Sequence, residues 1–198
     1  HLSALGIESS VDTNYSKSKL DGETNIKKNF KSSTILRPSV VYSVDDNFTT
    51  NFMSLLNILP IFPMYYNGKT KFMPIHCSDL TEIIYQVISK NITSETIECI
   101  GPETISFEKI LKRLLRLINK KRFLISSPLI LAKLSAKFFE LFPKPLLTLD
   151  QLKLLNYNNI LSGKYKSNID IGLRSHLKFE EEVAKYCYMW KDGGEYSK

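Results

Sequence analysis

The run Thr34-Ile35-Leu36-Arg37-Pro38-Ser39-Val40-Val41-Tyr42 constrains the fold of this chain more than any other segment. Its β-branched and apolar residues suit a buried strand, and its proline marks where the ladder of hydrogen bonds must stop, near Arg37. Ahead of it, Tyr15 to Asn29 holds few helix breakers and sets Leu20 and Ile26 among lysines and acids. That is the pattern of a helix with a narrow apolar face, ended by Lys31-Ser32-Ser33. Earlier still, His1-Leu2-Ser3-Ala4 reads as the tail of a strand and Gly6 to Asn14 as a loop. Strand, helix, strand is the repeating unit of a parallel α/β sheet.

Downstream, Asp45 to Pro63 turns from polar to apolar and reads as a helix ended by Pro60. Lys71 to Ile75 is a short extended piece. Ser78-Asp79 reads as the cap of a helix from Leu80 to Lys90, with Asp79 a capping rather than a catalytic residue. Thr96 to Ile100 is a strand placed to return to the sheet, and Ser106 caps a helix over Phe107–Asn119. Arg122 to Ser126 is extended again. Pro128 opens an apolar helix, Leu129 to Phe142, and Thr148 with Gln151 forms a capping box for one more. The polar tail from Asp192 to Lys198 is expected to fray. The division expected is residues 1–44 as the end of a sheet-based domain and 45–198 as a smaller, mainly helical portion.

Composition closes off several classes. The chain has 198 residues, 43% of them hydrophobic, enough for a sizeable core. It holds no run of about 20 apolar residues that would span a bilayer. Its three cysteines, Cys77, Cys99 and Cys187, are too far apart for a disulfide framework or a metal pair, and no metal site is expected. The net charge of +7 gathers most densely at Lys109, Lys112, Arg113, Arg116, Lys120, Lys121 and Arg122. No aromatic residues interleave there as a stacking platform requires, so the cluster reads as the solvated face of a helix and not as a nucleic-acid surface. The opening residues lack an initiator methionine and the pattern of a signal peptide, and the chain reads as a fragment of a longer protein.

Tyr15 and Lys19 carry the chemistry. Four residues apart on a helix, they share one face. A tyrosine with an ordinary pKa near 10 exchanges protons poorly at neutral pH, and a neighbouring ammonium is expected to lower it. The lysine can also donate hydrogen bonds to ribose hydroxyls. The spacing alone is weak evidence, since Tyr65 and Lys69 repeat it across an Asn67-Gly68 turn.

The order of motifs is more specific. Tyr15-x-x-x-Lys19 with Gly22-Glu23, then Ile35-Leu36-Arg37-Pro38-Ser39-x-Val41-Tyr42, then Gly68-x-Thr70 through Pro74-Ile75 to Asp79-Leu80, then Gly101-Pro102-Glu103 and Ser106-Phe107 follow one another over residues 1 to about 120. In this the sequence resembles the extended and atypical short-chain dehydrogenases/reductases, the NAD-dependent epimerase/dehydratase type. His1-x-Ser3-Ala4-Leu5-Gly6, Asp45-Asp46-Asn47-Phe48 and the stretch from Pro143 to Leu152 are similar to the group around the nucleotide-binding accessory subunit of respiratory complex I and its bacterial relatives.

The resemblance implies the C-terminal part of a Rossmann-type parallel sheet binding NADP or NAD, followed by a smaller helical portion. It implies Lys19 on the nicotinamide ribose, Tyr15 in a proton relay or its vestige, and Pro38, Ser39 and Val40 along the nicotinamide pocket. Ser3 is available to orient a substrate carbonyl, unless Ala4 takes that position and the donor is missing. The implied function is that of an accessory protein with little or no turnover, associated with complex I or inner-membrane respiratory or quinone-related machinery. The alternative is an active oxidoreductase or epimerase/dehydratase. The implied location is cytoplasmic or peripheral to the inner membrane, on the matrix side in a eukaryote. Two departures stand out: Gly6 and Gly22 are the only glycines before residue 68, so no glycine-rich phosphate loop is present, and Ser43 follows the second motif where relatives carry glycine.

Overall fold

The structure, a computed structural model, describes residues 1–128 and 148–197. Its centre is β1 (Ile35–Pro38). Residues 1–5 run parallel beside it: the Ser3 N–H donates to the Leu36 carbonyl at 2.7 Å, and the Leu5 N–H to the Pro38 carbonyl at 2.9 Å. On its other side β6 (Thr96–Cys99) pairs in parallel, and β9 (Lys166–Ser167) follows in parallel beyond β6. Ile35, Ile97 and Cys99 are wholly buried, as strands covered on both faces require.

The two-residue period of a strand sends neighbours to opposite faces. Arg37 points to one face, where α1 (Asn14–Asn29) carries Glu23. Leu36 points to the other, where Leu80, Ile83 and Val87 of α3 (Cys77–Ser89) pack with Ile97 and Cys99. Helices on both faces of a parallel sheet give the doubly wound α/β arrangement. Past Pro38 the chain steps aside into β2 (Val41–Tyr42), which pairs in parallel with β5 (Ile75–His76).

A second layer stands at the ends of these strands. It contains α2 (Thr49–Ile58), β3 (Ile61–Met64) paired in parallel with β8 (Phe123–Ser126), and β4 (Lys71–Phe72) paired antiparallel with β7 (Ile105–Ser106). Helices α4 (Phe107–Leu117), α5 (Leu149–Leu154) and α6 (Phe179–Val183) complete it. Their core runs through Met53, Leu56, Phe62, Phe107, Ile110, Leu114 and Trp190.

Several boundaries differ from the sequence expectation for identifiable reasons. Helix α2 starts at Thr49, because the Asp46 carboxylate accepts the N–H groups of Ser43, Phe48 and Thr49 and so caps it. This also closes the turn at Ser43. After Pro60 comes a strand that the apolar run concealed, since a short apolar stretch does not distinguish strand from helix. The cap of α3 is His76, whose Nδ1 accepts the Ser78 N–H at 3.2 Å. Asp79 sits inside the first turn and holds the N–H groups of His176 and Leu177 instead. The described part of the tail packs onto the core, contrary to the expected fraying: the Tyr196 ring lies 4.9 Å from that of Trp190, and its carbonyl accepts from Asn57 at 2.7 Å. The helix expected over Leu129–Phe142 and the Pro143–Pro145 stretch lie outside the described residues. No helix among the described residues is long and apolar enough to cross a membrane.

Gly101 has the closest surroundings of the described glycines. A Cβ there would stand 1.7 Å from the Pro74 carbonyl oxygen, so β6 leaves the sheet beside β5 only with glycine at this place.

Candidate functional site

The first turn of α1 is held from two directions. Thr13, its N-cap, accepts the Ser16 N–H at 3.2 Å. Asp150, from α5, accepts the N–H groups of Asn14 and Tyr15 at 2.9 and 3.0 Å. These bonds satisfy donors that the helix itself leaves open, and they place a negative charge at the positive end of its dipole. Tyr15 is thereby fixed at the rim of a cleft, with 43% of its surface exposed.

Lys19 stands one turn on, with Nζ 5.9 Å from the centroid of the Tyr15 ring. The two groups therefore share a face, as their spacing requires. The expected lowering of the phenol pKa is absent. Burial against the cleft pushes it upward, because the ammonium addresses the face of the ring as a cation–π contact and does not offset that desolvation.

The cleft has a volume of about 750 Å³ and opens at the C-terminal ends of the parallel strands. Ser3, Ala4, Tyr15, Pro38, Ser39 and Val40 all line its near end. Lys19 is outside the lining and above Tyr15. Most main-chain groups of Pro38–Val40 are engaged within the fold. The Pro38 carbonyl takes the Leu5 N–H, the Ser39 N–H goes to Cys99, and the Val40 carbonyl takes the Ile75 N–H. These residues present a proline ring and an isopropyl group to the cleft.

Asn159 completes this wall and was not legible in the sequence. Its Oδ1 accepts from the Ser39 hydroxyl at 2.6 Å and the Val40 N–H at 3.1 Å, while its Nδ2 donates to the Leu5 carbonyl at 2.7 Å. One amide thus bridges the first segment and the end of β1. Ser10 and Ser16 also line the cleft, with their hydroxyl oxygens 2.7 Å apart beside Tyr15.

Behind the site lies a buried charge cluster. Arg37 Nε and Nη2 reach the two carboxylate oxygens of Glu23 at 2.8 Å each, and Nη1 reaches Glu8 at 2.9 Å. Its guanidinium carbon also lies 4.5 Å from the centroid of the Tyr165 ring. Glu23 lies two turns along α1 from Tyr15, so this pair welds the helix of the first motif to the strand of the second. Burial works against the charged forms, but the hydrogen bonds win. The Tyr165 hydroxyl, Arg37 and Lys164 hold the Glu8 carboxyl down to about 2, Arg37 holds Glu23 below the usual carboxylate range, and both acids hold Arg37 above its own.

The basic cluster on α4 is largely matched by the chain's own acids. Arg113 meets Glu103 at 2.8 Å, Arg116 meets Glu180, and Lys112 meets Glu108 at 2.6 Å. Arg122 donates to the carbonyls of Leu56 and Asn57.

No family model matches the chain. In sequence it is 24% identical over 190 residues to the mitochondrial NADH-ubiquinone oxidoreductase 40 kDa subunit of Neurospora crassa, covering 95% of this chain and 48% of that one. It is 21% identical over 196 residues to the mitochondrial NADH dehydrogenase [ubiquinone] 1 alpha subcomplex subunit 9 of Mus musculus, covering 96% and 52%. The chain thus spans about half the length of the curated relatives it matches. In structure it is similar to dTDP-glucose 4,6-dehydratase of Bacillus anthracis, solved in complex with NAD, with a TM-score of 0.61, 13% identity and coverage of 93% and 54%. The chain has a Rossmann-like α/β fold similar to that of the Bacillus anthracis dehydratase, and its sequence is similar to those subunits of the mitochondrial NADH dehydrogenase.

Proposed function

We propose that the intact protein binds a nicotinamide dinucleotide, NADP or NAD, as an accessory component of respiratory complex I with little or no turnover. The observation that carries this reading is Tyr15 with Lys19 above it, at the mouth of an apolar cleft walled by Pro38–Val40 at the strand ends. That is the side of an open parallel sheet on which ligands bind.

The residues present fit the nicotinamide ribose end of such a cofactor. The apolar wall suits a flat ring, and the Lys19 ammonium supplies donors for ribose hydroxyls beside it. When bound, the dinucleotide supplies hydride chemistry. Tyr15 would hold a proton at its hydroxyl, and burial strengthens that hold, which favours a cofactor kept for structure. The sequence likeness to subunits of the mitochondrial NADH dehydrogenase supports the partner and a place beside the inner membrane, on the matrix side in a eukaryote.

A second reading, turnover as an oxidoreductase or epimerase/dehydratase, draws on the hydroxyls of Ser3, Ser10 and Ser16 that line the same cleft as Tyr15. One experiment separates the two. The intact protein is purified and denatured, the released nucleotide is identified by chromatography, and Tyr15→Phe is compared with the parent. The accessory reading expects stoichiometric nucleotide in both proteins and no hydride transfer. A protein that carries none refutes it, while a rate abolished by Tyr15→Phe favours the enzyme.

A further inference from the structure

The far end of the cleft differs in chemistry from its nucleotide-facing end. Beyond Tyr15 its walls are Phe48, Phe52 and Leu55 of the α2 region, Phe62, Phe72 and Phe107. Their rings pack on one another, Phe48 on Phe52 at 5.1 Å and Phe52 on Phe107 at 5.2 Å. Phe48, Phe52 and Leu55 nevertheless remain only half-buried, so apolar surface faces the cavity. No Asp, Glu, Lys or Arg stands among the described lining residues.

The helix ends that border the cleft are also closed to anions. The first turn of a helix is a ready anion site while its N–H groups are open. At α2 those groups already serve the Asp46 carboxylate, and at α1 they serve Asp150. A diphosphate entering here would meet two fixed negative charges and no described cation, and burying it unpaired is costly. Among the described residues this argues against a sugar nucleotide of the kind named for the Bacillus anthracis neighbour.

We propose that this end of the cleft binds an uncharged, hydrocarbon-rich molecule, of the class of acyl or prenyl chains with at most a small carbonyl head. The chain lies along the phenylalanine wall and the head points to Tyr15. Only the direction of the head rests on the dinucleotide reading.

The test uses the intact protein and the uncharged fluorophore N-phenyl-1-naphthylamine, displaced by a series of straight-chain methyl ketones. Affinity should rise about fourfold per added methylene, the equivalent of about 0.8 kcal/mol, until the cavity is full. dTDP-glucose should leave the fluorophore in place. Leu55→Asp should weaken the longer ketones about 100-fold, with its thermal melt checked beside the parent's. A flat ketone series, or displacement by dTDP-glucose, overturns the proposal, and the parent protein alone suffices to show either. NAD(P)H is titrated separately by its own fluorescence. An intact ketone series without dinucleotide binding sustains this proposal and removes the dinucleotide reading, while the reverse pattern sinks the proposal alone.

Discussion

Replacing Arg37 by leucine tests the charge cluster behind the site. Arg37 and Glu23 are each only 4% exposed, and three hydrogen bonds of 2.8–2.9 Å join the guanidinium to two carboxylates. Removing one partner of a buried pair leaves the other charged and poorly solvated, which costs about 3–5 kcal/mol. Glu8 keeps Lys164 and Tyr165 and is 30% exposed at its side chain, so the loss falls mainly on Glu23. Arg37→Leu combined with Glu23→Leu should recover most of it, because a hydrophobic pair needs no compensation.

The pH dependence gives a second reading of the same cluster. In the parent, Glu8 is held at about 2 and Glu23 also below the ordinary 4.5, so their stabilisation is complete above 4.5 and is lost as pH falls toward 2. In Arg37→Leu, burial pushes the Glu23 carboxyl above 4.5. That variant is then most handicapped at pH 7 and closes on the parent as pH falls toward 4.5. Urea unfolding followed by Trp190, the only tryptophan and 3% exposed, measures both effects. A deficit under about 1 kcal/mol at pH 7, or an equal deficit at pH 7 and pH 5, would refute the assignment of Glu23 as a buried, charge-dependent partner.

Two further substitutions follow from particular contacts. Asp150→Ala opens two N–H groups in the first turn of α1 and should cost about 1 kcal/mol in the same unfolding assay, with a matching loss of nucleotide affinity as Tyr15 loosens. Gly101→Ala drives a methyl group into the Pro74 carbonyl and should cost more than about 3 kcal/mol, seen as a collapsed melting transition or insoluble protein.

Much of the sheet side was legible because its signals are local. The β-branched run of β1, the breakers that end α1, the capping serine of α4 and the box of Thr148 and Gln151 each declare themselves within a few residues. The Tyr15–Lys19 pair was legible for the same reason, being one helix turn. What escaped is non-local. Asn159 and Asp150 act on groups more than a hundred residues away, and nothing in their own neighbourhood distinguishes them from loop and first-turn residues. The pairing of Glu23 with Arg37 hid inside two motifs whose letters were visible while their contact was not. The direction of the Tyr15 shift was misjudged because spacing fixes a shared face but not burial. Strand β3 was missed because its hydrogen-bond partner, β8, lies far along the chain.

The strand order has a consequence for how the molecule is made. On its β6 side β1 waits for β6 to leave the ribosome, and β6 waits in turn for β9, far along the chain. Pairings of such long reach form slowly, because ordering the intervening loop comes first. Until β6 arrives, the open side of Ile35 and Leu36 is an apolar template for any other extended chain. Nascent protein therefore passes through an interval in which a chaperone, or prompt folding of α1 over that surface, decides between assembly and aggregation.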